Sequence, residues 1–428
     1  MINLSMQSSI KFCLLMVLLL PIRLGLAQTT PSLSLDSCYA LAKQHYPLVK
    51  QTALIEQSKV YSIENASKSY LPQVSINGQA TYQSEVTSLP ITLPNITVPT
   101  PSKDQYKLYG EINQPLTDLF TVKQQKSLIE ANAMIELQKV EVELSKLKER
   151  INQLFFGILL IDAQKEQTLL LKKDLKVGMD KIKAAIANGT SFKSNENILK
   201  AEVLKADQRL IELQSNRKGF IDMLSLFINK PLSESVALEM PLSQPVLEQI
   251  NRPELKLYEF QKRAFDVQQS LINAKTRPKF NLFLQGGYGR PALNALSNEF
   301  NTYYIGGLRL NWNLSSFYTS GKEKQQLELS KTIQDTQKET FLFNTKLSLL
   351  QQSNEMKKYV SLLDNDNQII ALRQEIKVTA MAQLENGTIT SNDYLTYLNA
   401  EDQAKQTQIL HQIQYLLAQC NYQTTSGN

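Results

Sequence analysis

Histidine and cysteine are scarce in this sequence, two of the first and three of the second in 428 residues. His45 and His411 both stand in helical stretches, without Cys, Asp or Glu at ligand spacing, so no metal centre is expected. No glycine-rich phosphate loop is present: Gly286-Gly287-Tyr288-Gly289 ends a strand instead of joining a strand to a helix. There is no nucleophile elbow either. Catalysis by metal, phosphate or covalent chemistry has no foothold here, and no cofactor is expected. Long runs of basic residues are also missing, which excludes nucleic acid as a partner.

Long apolar runs are missing too, with one exception. Phe12 to Ile22 follows Lys11 and precedes Gly25-Leu26-Ala27, small residues of the kind a signal peptidase reads. Residues 1–27 are therefore expected to be a secretory signal peptide, cleaved after Ala27. Pro21 and Arg23 argue against a retained transmembrane helix, and no cysteine at the cleavage site offers a lipid anchor. Losing Lys11 and Arg23 lowers the formal net charge from +6 to +4. Cys38 and Cys420 remain, and whether they pair stays open. Beyond the signal no apolar run reaches eighteen residues, so any membrane crossing must be a closed β-barrel.

The rest of the chain is written twice. Tyr46-Pro47-Leu48 opens a helical stretch that ends at Leu71-Pro72, and Arg252-Pro253-Glu254 opens one that ends at Arg277-Pro278. Asn113-Gln114-Pro115-Leu116 matches Asn311-Trp312-Asn313-Leu314, and Asn188-Gly189-Thr190 matches Asn386-Gly387-Thr388. The offset is 206 residues at the prolines and 198 at the later matches, so the whole difference falls between two strands, in the Pro/Thr-rich stretch 88–104. A loop absorbs an insertion that a packed element cannot. The predicted organisation is a first repeat over 28–230 with strands at about 73–83 and 106–114 and a long hairpin over 117–229. A linker over 231–251 follows. The second repeat covers 252–420, with strands at about 279–288 and 303–313 and a hairpin over 315–420. The polar tail 421–428 is expected to be disordered.

The four strands alternate strictly. Val74, Ile76, Gly78, Ala80 and Tyr82 share one face, as do Tyr106, Leu108, Gly110 and Ile112; Phe280, Leu282, Leu284, Gly286 and Tyr288; and Tyr304, Gly306, Leu308, Leu310 and Trp312. Each run is roughly 9–11 residues, the length a tilted strand needs to cross a bilayer. Tyr82, Tyr106, Tyr288, Tyr304 and Trp312 are candidates for an interfacial aromatic girdle. A soluble sheet packed on one face alternates in the same way. If the strands span a membrane, four are too few to close a barrel and copies must combine.

Between Leu116 and Asn188 there is no proline and there are two glycines, Gly157 and Gly178. Such a stretch makes a helix of roughly 105 Å. Leu147, Ile151, Leu154, Ile158 and Ile161 follow a heptad seam. The helices flanking it are about 24 and 40 residues long and, laid end to end, match its length. Each repeat is thus one long helix beside two shorter ones, with Asn-Gly turns closing the far end.

These residues resemble the TolC-like outer-membrane efflux proteins. Leu33-Ser34-Leu35-Asp36-Ser37-Cys38-Tyr39-Ala40-Leu41-Ala42 through His45-Tyr46-Pro47 is similar to that family's opening helix. Asn386-Gly387-Thr388-Ile389 through Asp393 to Glu401 is similar to its periplasmic tip. The resemblance implies a mainly α fold with a small β part: a homotrimer with a 12-stranded transmembrane β-barrel in the outer membrane and a coiled-coil periplasmic tunnel. It further implies a passive exit duct for small molecules, served by a periplasmic adaptor and an inner-membrane RND, ABC or MFS transporter. A type I protein secretion duct is the alternative, and a periplasmic coiled-coil adaptor or structural protein a more distant one.

At the tip, Asp393 occupies the place of a pore-facing aspartate in the family, and it equally suits the N-terminus of its helix. Asn188, Gly189, Thr190, Asn386, Gly387 and Thr388 are candidates for adaptor contact, or simply tight turns. Thr396, Ile389 and Leu384 depart from the family's pattern, so its closing links do not carry over.

Overall fold

The computed structural model describes residues 32–88, 100–243, 245, 247 and 249–428. The expected signal peptide and most of the loop 88–104 lie outside the described residues.

Helix α1 (Leu35–His45) starts at Ser34, whose hydroxyl accepts from the Ser37 amide, and a 3-10 turn over Pro47–Val49 leads into α2 (Lys50–Lys68). Strands β1 (Gln73–Tyr82) and β2 (Asp104–Pro115) follow, then α3 (Leu119–Ser145), α4 (Leu147–Ala187) and α5 (Lys193–Ile228). The second repeat runs α6 (Pro253–Lys275), β3 (Lys279–Arg290), β4 (Asn301–Asn311), α7 (Ser316–Glu385) and α8 (Ser391–Ser426). Pro253 stands in the first turn of α6, where its missing N–H costs nothing. The 70 residues of α7 make a rod of about 105 Å. In the first repeat the corresponding rod is interrupted at Lys146, a single turn residue that keeps helical dihedrals, so α3 and α4 stay nearly continuous.

The sheet is an antiparallel meander in the order β1-β2-β3-β4, so both repeats share one sheet and meet at the β2–β3 seam. Below it the helices form a single layer. Near the sheet α2, α3, α6 and α7 are neighbours in that order; at the far end the order is α5, α4, α8, α7. One flank of the layer is therefore α7 throughout, and the other is α2 above and α5 below. Both flanks expose large apolar side chains: Phe343, Leu350 and Leu372 on α7, Leu54 on α2, Leu204 and Ile211 on α5.

Two cores hold the layer. At mid-height α1 packs on α4 and α5, and the heptad residues Leu147, Ile151 and Ile158 are buried with Phe155, Phe156, Ile221 and Leu224. Leu154 and Ile161 of the same seam are buried as well. The linker joins this core through Leu232, Val236 and Leu238, and Leu33 pairs with Leu238 as a parallel bridge. The second core lies near the far end, with Leu175, Leu199, Leu384, Tyr394 and Leu398 at its centre. Gly178 makes room for Tyr394, since a Cβ there would stand 3.2 Å from the ring.

The tail is ordered, contrary to the expectation from its polarity. Helix α8 continues to Ser426 and closes on Gly427 in the left-handed conformation. Its polar side chains serve as partners. Asn152, fully buried, donates to Asn421 at 3.1 Å and Thr424 at 3.3 Å. Gln352 donates to Thr425 at 3.0 Å, and the Asn251 amide donates to the Ser426 carbonyl at 2.6 Å.

Cys38 and Cys420 are free thiols. Burial pushes Cys38 up to about 12, and burial together with Asp36 pushes Cys420 up to about 11. Reactivity belongs to the thiolate, so neither is expected to label with N-ethylmaleimide at pH 7.5 until the protein is unfolded. Rapid labelling of the native protein would contradict this packing.

Candidate barrel wall and tunnel tip

Strand register places the alternating residues on common faces. Val74 pairs with Ile112, Ile112 with Leu284 and Leu284 with Gly306. One face of the sheet is thus apolar, and Ile76 and Tyr304 on it are about four-fifths exposed. The opposite face carries Gln73, Ser75, Asn77, Gln79, Lys107, Glu111 and Arg309. Glu111 accepts from Gln285 at 2.8 Å and pairs with Arg309 at 3.1 Å, and Arg309 lies 4.4 Å over the Phe283 ring. Strands β1 and β4 are edges, so ten and eleven residues of backbone offer unpaired donors and acceptors beside an exposed apolar face. That combination is a template on which a further strand can pair at each side.

The expected aromatic residues sit toward the two ends of this sheet. Tyr82, Tyr106 and Tyr288 cluster at the loop end, and Tyr304 stands opposite Gly286 in the same half. Phe300, which the strand pattern did not single out, stacks 6.4 Å from Tyr106 and 5.5 Å from Tyr288, and Arg290 lies over both Tyr106 and Phe300. Trp312 falls just past β4, at the helix end, where its indole donates to the Thr276 carbonyl at 3.0 Å and meets Phe317 edge-on.

At the far end both Asn-Gly-Thr turns have the same construction. Gly189 and Gly387 adopt φ of 74° and 69°, the left-handed region. Thr190 donates its amide to Ala185 and Thr388 to Gln383, each at 2.9 Å, while Gly189 and Gly387 donate to Ile186 and Leu384. This is the Schellman closure, and each threonine hydroxyl adds a bond of 3.0 Å to the same carbonyl that its amide uses. Asn188 and Asn386 are the C-caps.

Asp393 closes a capping box with Thr390: its carboxylate accepts from the Thr390 amide at 3.0 Å and hydroxyl at 2.7 Å, and the Asp393 amide donates back at 3.2 Å. The Thr390 bonds hold its carboxyl below the usual carboxylate range.

Above the tip an ion-pair network that the sequence did not reveal joins the hairpins. Lys377 on α7 stands 3.0 Å from both Asp174 on α4 and Glu401 on α8, and Lys405 stands 2.7 Å from Glu401. Asp402 accepts from Gln167 at 2.9 Å, and Lys181 meets Glu385 at 3.0 Å.

No protein-family model and no curated protein sequence matches the chain. Solved structures do. The outer membrane protein VceC of Vibrio cholerae aligns over 92% of this chain and 96% of its own, with a TM-score of 0.65 at 12% identity. The CmeC outer membrane channel of Campylobacter jejuni gives 0.63 at 11% identity over 92% and 85%. The open state of the MtrE channel of Neisseria gonorrhoeae gives 0.64 at 12% identity over 92% and 89%. This chain has the fold of the TolC-like outer-membrane channels.

In this TolC-like fold the network around Glu401 ties α8 to both neighbouring rods. Burial opposes the charge of Glu401, but Lys405 and Lys377 outweigh it and hold the carboxyl below its ordinary value. Burial likewise opposes the charge of Lys377, but Asp174 and Glu401 overcome it and raise its pKa. A depressed acid stabilises above its unfolded value and loses that contribution as pH falls through the folded one; a raised base does so in the other direction. The coupling is therefore complete between about pH 5 and pH 10. Amide exchange in residues 391–405, corrected for intrinsic rates, is expected to accelerate below about pH 4. Glu401→Gln should remove that dependence; an unchanged profile in the variant would show that other acids control the opening.

Proposed function

We propose that this chain is the outer-membrane exit duct of a tripartite efflux pump, a homotrimer that conducts small molecules passively from the periplasm to the exterior. The observation that carries this reading is the four-stranded sheet itself. It has an apolar outer face, a polar inner face and two unpaired edges, and it is mounted on rods about 100 Å long. Three copies joined edge to edge would make a 12-stranded barrel, above the eight strands with which bacterial barrels begin.

The same three-fold closure would seat the apolar flank of α7 against α2 and α5 of the next copy, giving a tunnel of rods. Tyr82, Tyr106, Tyr288, Tyr304 and Trp312 would lie at the lipid interfaces. Asp393 would repeat three times around the mouth, and even as a capping residue its carboxylate would favour cations there. Energy would come from an inner-membrane transporter of the RND, ABC or MFS class through a periplasmic adaptor.

The test is assembly and conduction. Full-length protein extracted from outer membranes in mild detergent should have the light-scattering mass of a trimer after detergent is subtracted. It should also restore drug efflux to a host that lacks its own duct when supplied with a compatible adaptor and transporter. A monomer released from the periplasm without detergent would overturn the reading.

A further inference from the structure

The polar face of the sheet carries charges that do not all cancel. Within the strands they are Lys107 and Glu111 on β2, Lys279 on β3 and Arg309 on β4, while β1 contributes only neutral side chains. Glu111 pairs with Arg309 at 3.1 Å, and Lys279 pairs with Asp118 at 3.1 Å. Lys107 is left over. Among the described residues it makes no ion pair and no side-chain hydrogen bond. The loop residues 89–99 bring no acid to it either.

The neighbours of Lys107 across the ladder are Gln79 on one side and Gly289 on the other, both uncharged. A Cβ on Gly289 would stand 3.0 Å from the Lys107 Cγ. The glycine thus leaves the room in which the lysine stem lies against β3. Past the strand ends the balance is different: Lys103 there is matched in number by the loop acids Glu85 and Glu299. Lys107 lies three residues inside β2, about 10 Å from its loop end at ~3.4 Å per residue.

We infer that Lys107 sets the ion preference of the membrane section of the duct: its three copies attract anions near the exit, polyvalent anions most strongly. This rests on the duct reading. Twelve strands about 4.8 Å apart and tilted by roughly 40° enclose a wall of about 12 Å radius. The Debye length is about 10 Å at ~0.1 M salt. Three uncompensated lysines on that wall therefore hold most of the cross-section at positive potential in dilute salt. They lose that hold at ~1 M, where the length falls to about 3 Å. Rings of Lys or Arg are the device by which pores favour anions and phosphates. The two ends of the passage then have opposite preferences, since Asp393 at the tip favours cations.

The experiment uses the full-length trimer in planar bilayers in dilute potassium chloride, with inorganic tripolyphosphate added on the loop side as probe. The wild type is expected to be blocked. Lys107→Gln should raise the half-blocking concentration at least tenfold with the trimer mass unchanged, and Lys107→Arg should stay within about threefold of the wild type. In Lys107→Glu the reversal potential under a salt gradient should move toward that of potassium. Block of equal strength in the wild type and Lys107→Gln, or no block of a conducting wild type, would overturn the assignment and leave the duct reading intact. Block of the wild type that persists undiminished in concentrated salt would also overturn it, because a screened ring cannot act there. Failure of the wild type to form a conducting trimer would overturn both.

Discussion

Replacing Gly287 by valine is expected to abolish the assembled trimer. Gly287 lies near the loop-side end of β3, opposite Tyr109 of β2 and Tyr303 of β4. A Cβ there would stand 2.6 Å from both the Leu108 carbonyl oxygen and the Tyr109 Cβ. Neither atom can rotate away, because one is backbone and the other is fixed to it. Relief requires moving β3 from β2, and that seam joins the two repeats. In a bilayer each backbone group so released is unsatisfied at a cost of several kcal/mol. Even Gly287→Ala carries the clashing atom and should lower trimer yield at least tenfold. Gly286→Ala is the control: its Cβ would meet nothing within 4 Å, so the trimer should form normally. Equal trimer yields from the two alanine variants, measured by light scattering of the detergent complex, would show that the seam yields more easily than the register implies.

The contrast between neighbouring glycines shows what kind of information the sequence carries. Alternation identified all four strands and both their faces, because period-2 burial is a local property that each residue reports alone. The turns were equally legible: Asn-Gly-Thr closes a helix through its own backbone bonds, and both copies do so identically. Pairings between distant segments were not legible. Nothing near Gly287 announces that Tyr109, 178 positions earlier, will leave it no space. The tail misled for a related reason. Asn421, Thr424 and Thr425 are polar because they face Asn152 and Gln352, partners that only the fold supplies, and polarity without its partner reads as solvent exposure. Phe300 escaped notice as a single aromatic in a loop, where no period exists to flag it.

Arg217 is the clearest case of a residue whose importance the sequence hides, and removing its charge should release the linker between the repeats. It lies on α5, in a run that reads as an ordinary basic helix face, yet it is only 6% exposed. Its guanidinium forks onto Asp162 of α4 at 2.5 and 3.0 Å, and it also donates to the Val236 carbonyl at 2.7 Å and to that of Glu234. Those carbonyls belong to the linker, and the next residues pair with Leu33: the Leu33 amide donates to Ala237 at 2.9 Å and the Glu239 amide to Leu33 at 3.1 Å. One side chain therefore fixes a hairpin, the linker and the segment at Leu33 at the same place. In Arg217→Met the apolar volume is kept, but the linker carbonyls and a carboxylate lose their donor. Breaking a buried pair from one side costs about 3–5 kcal/mol. Asp162 is about one-third exposed and can regain water, which puts the expected loss near the lower figure. Since each 1.4 kcal/mol is tenfold, proteolysis within residues 231–251 should run roughly a hundredfold faster, while cleavage in α4 and α5 changes little. Arg217→Lys should fall between, because an ammonium is a point charge and cannot span the fork and both carbonyls at once. Cleavage at the wild-type rate in Arg217→Met would mean that Leu232, Val236 and Leu238 hold the linker by packing alone.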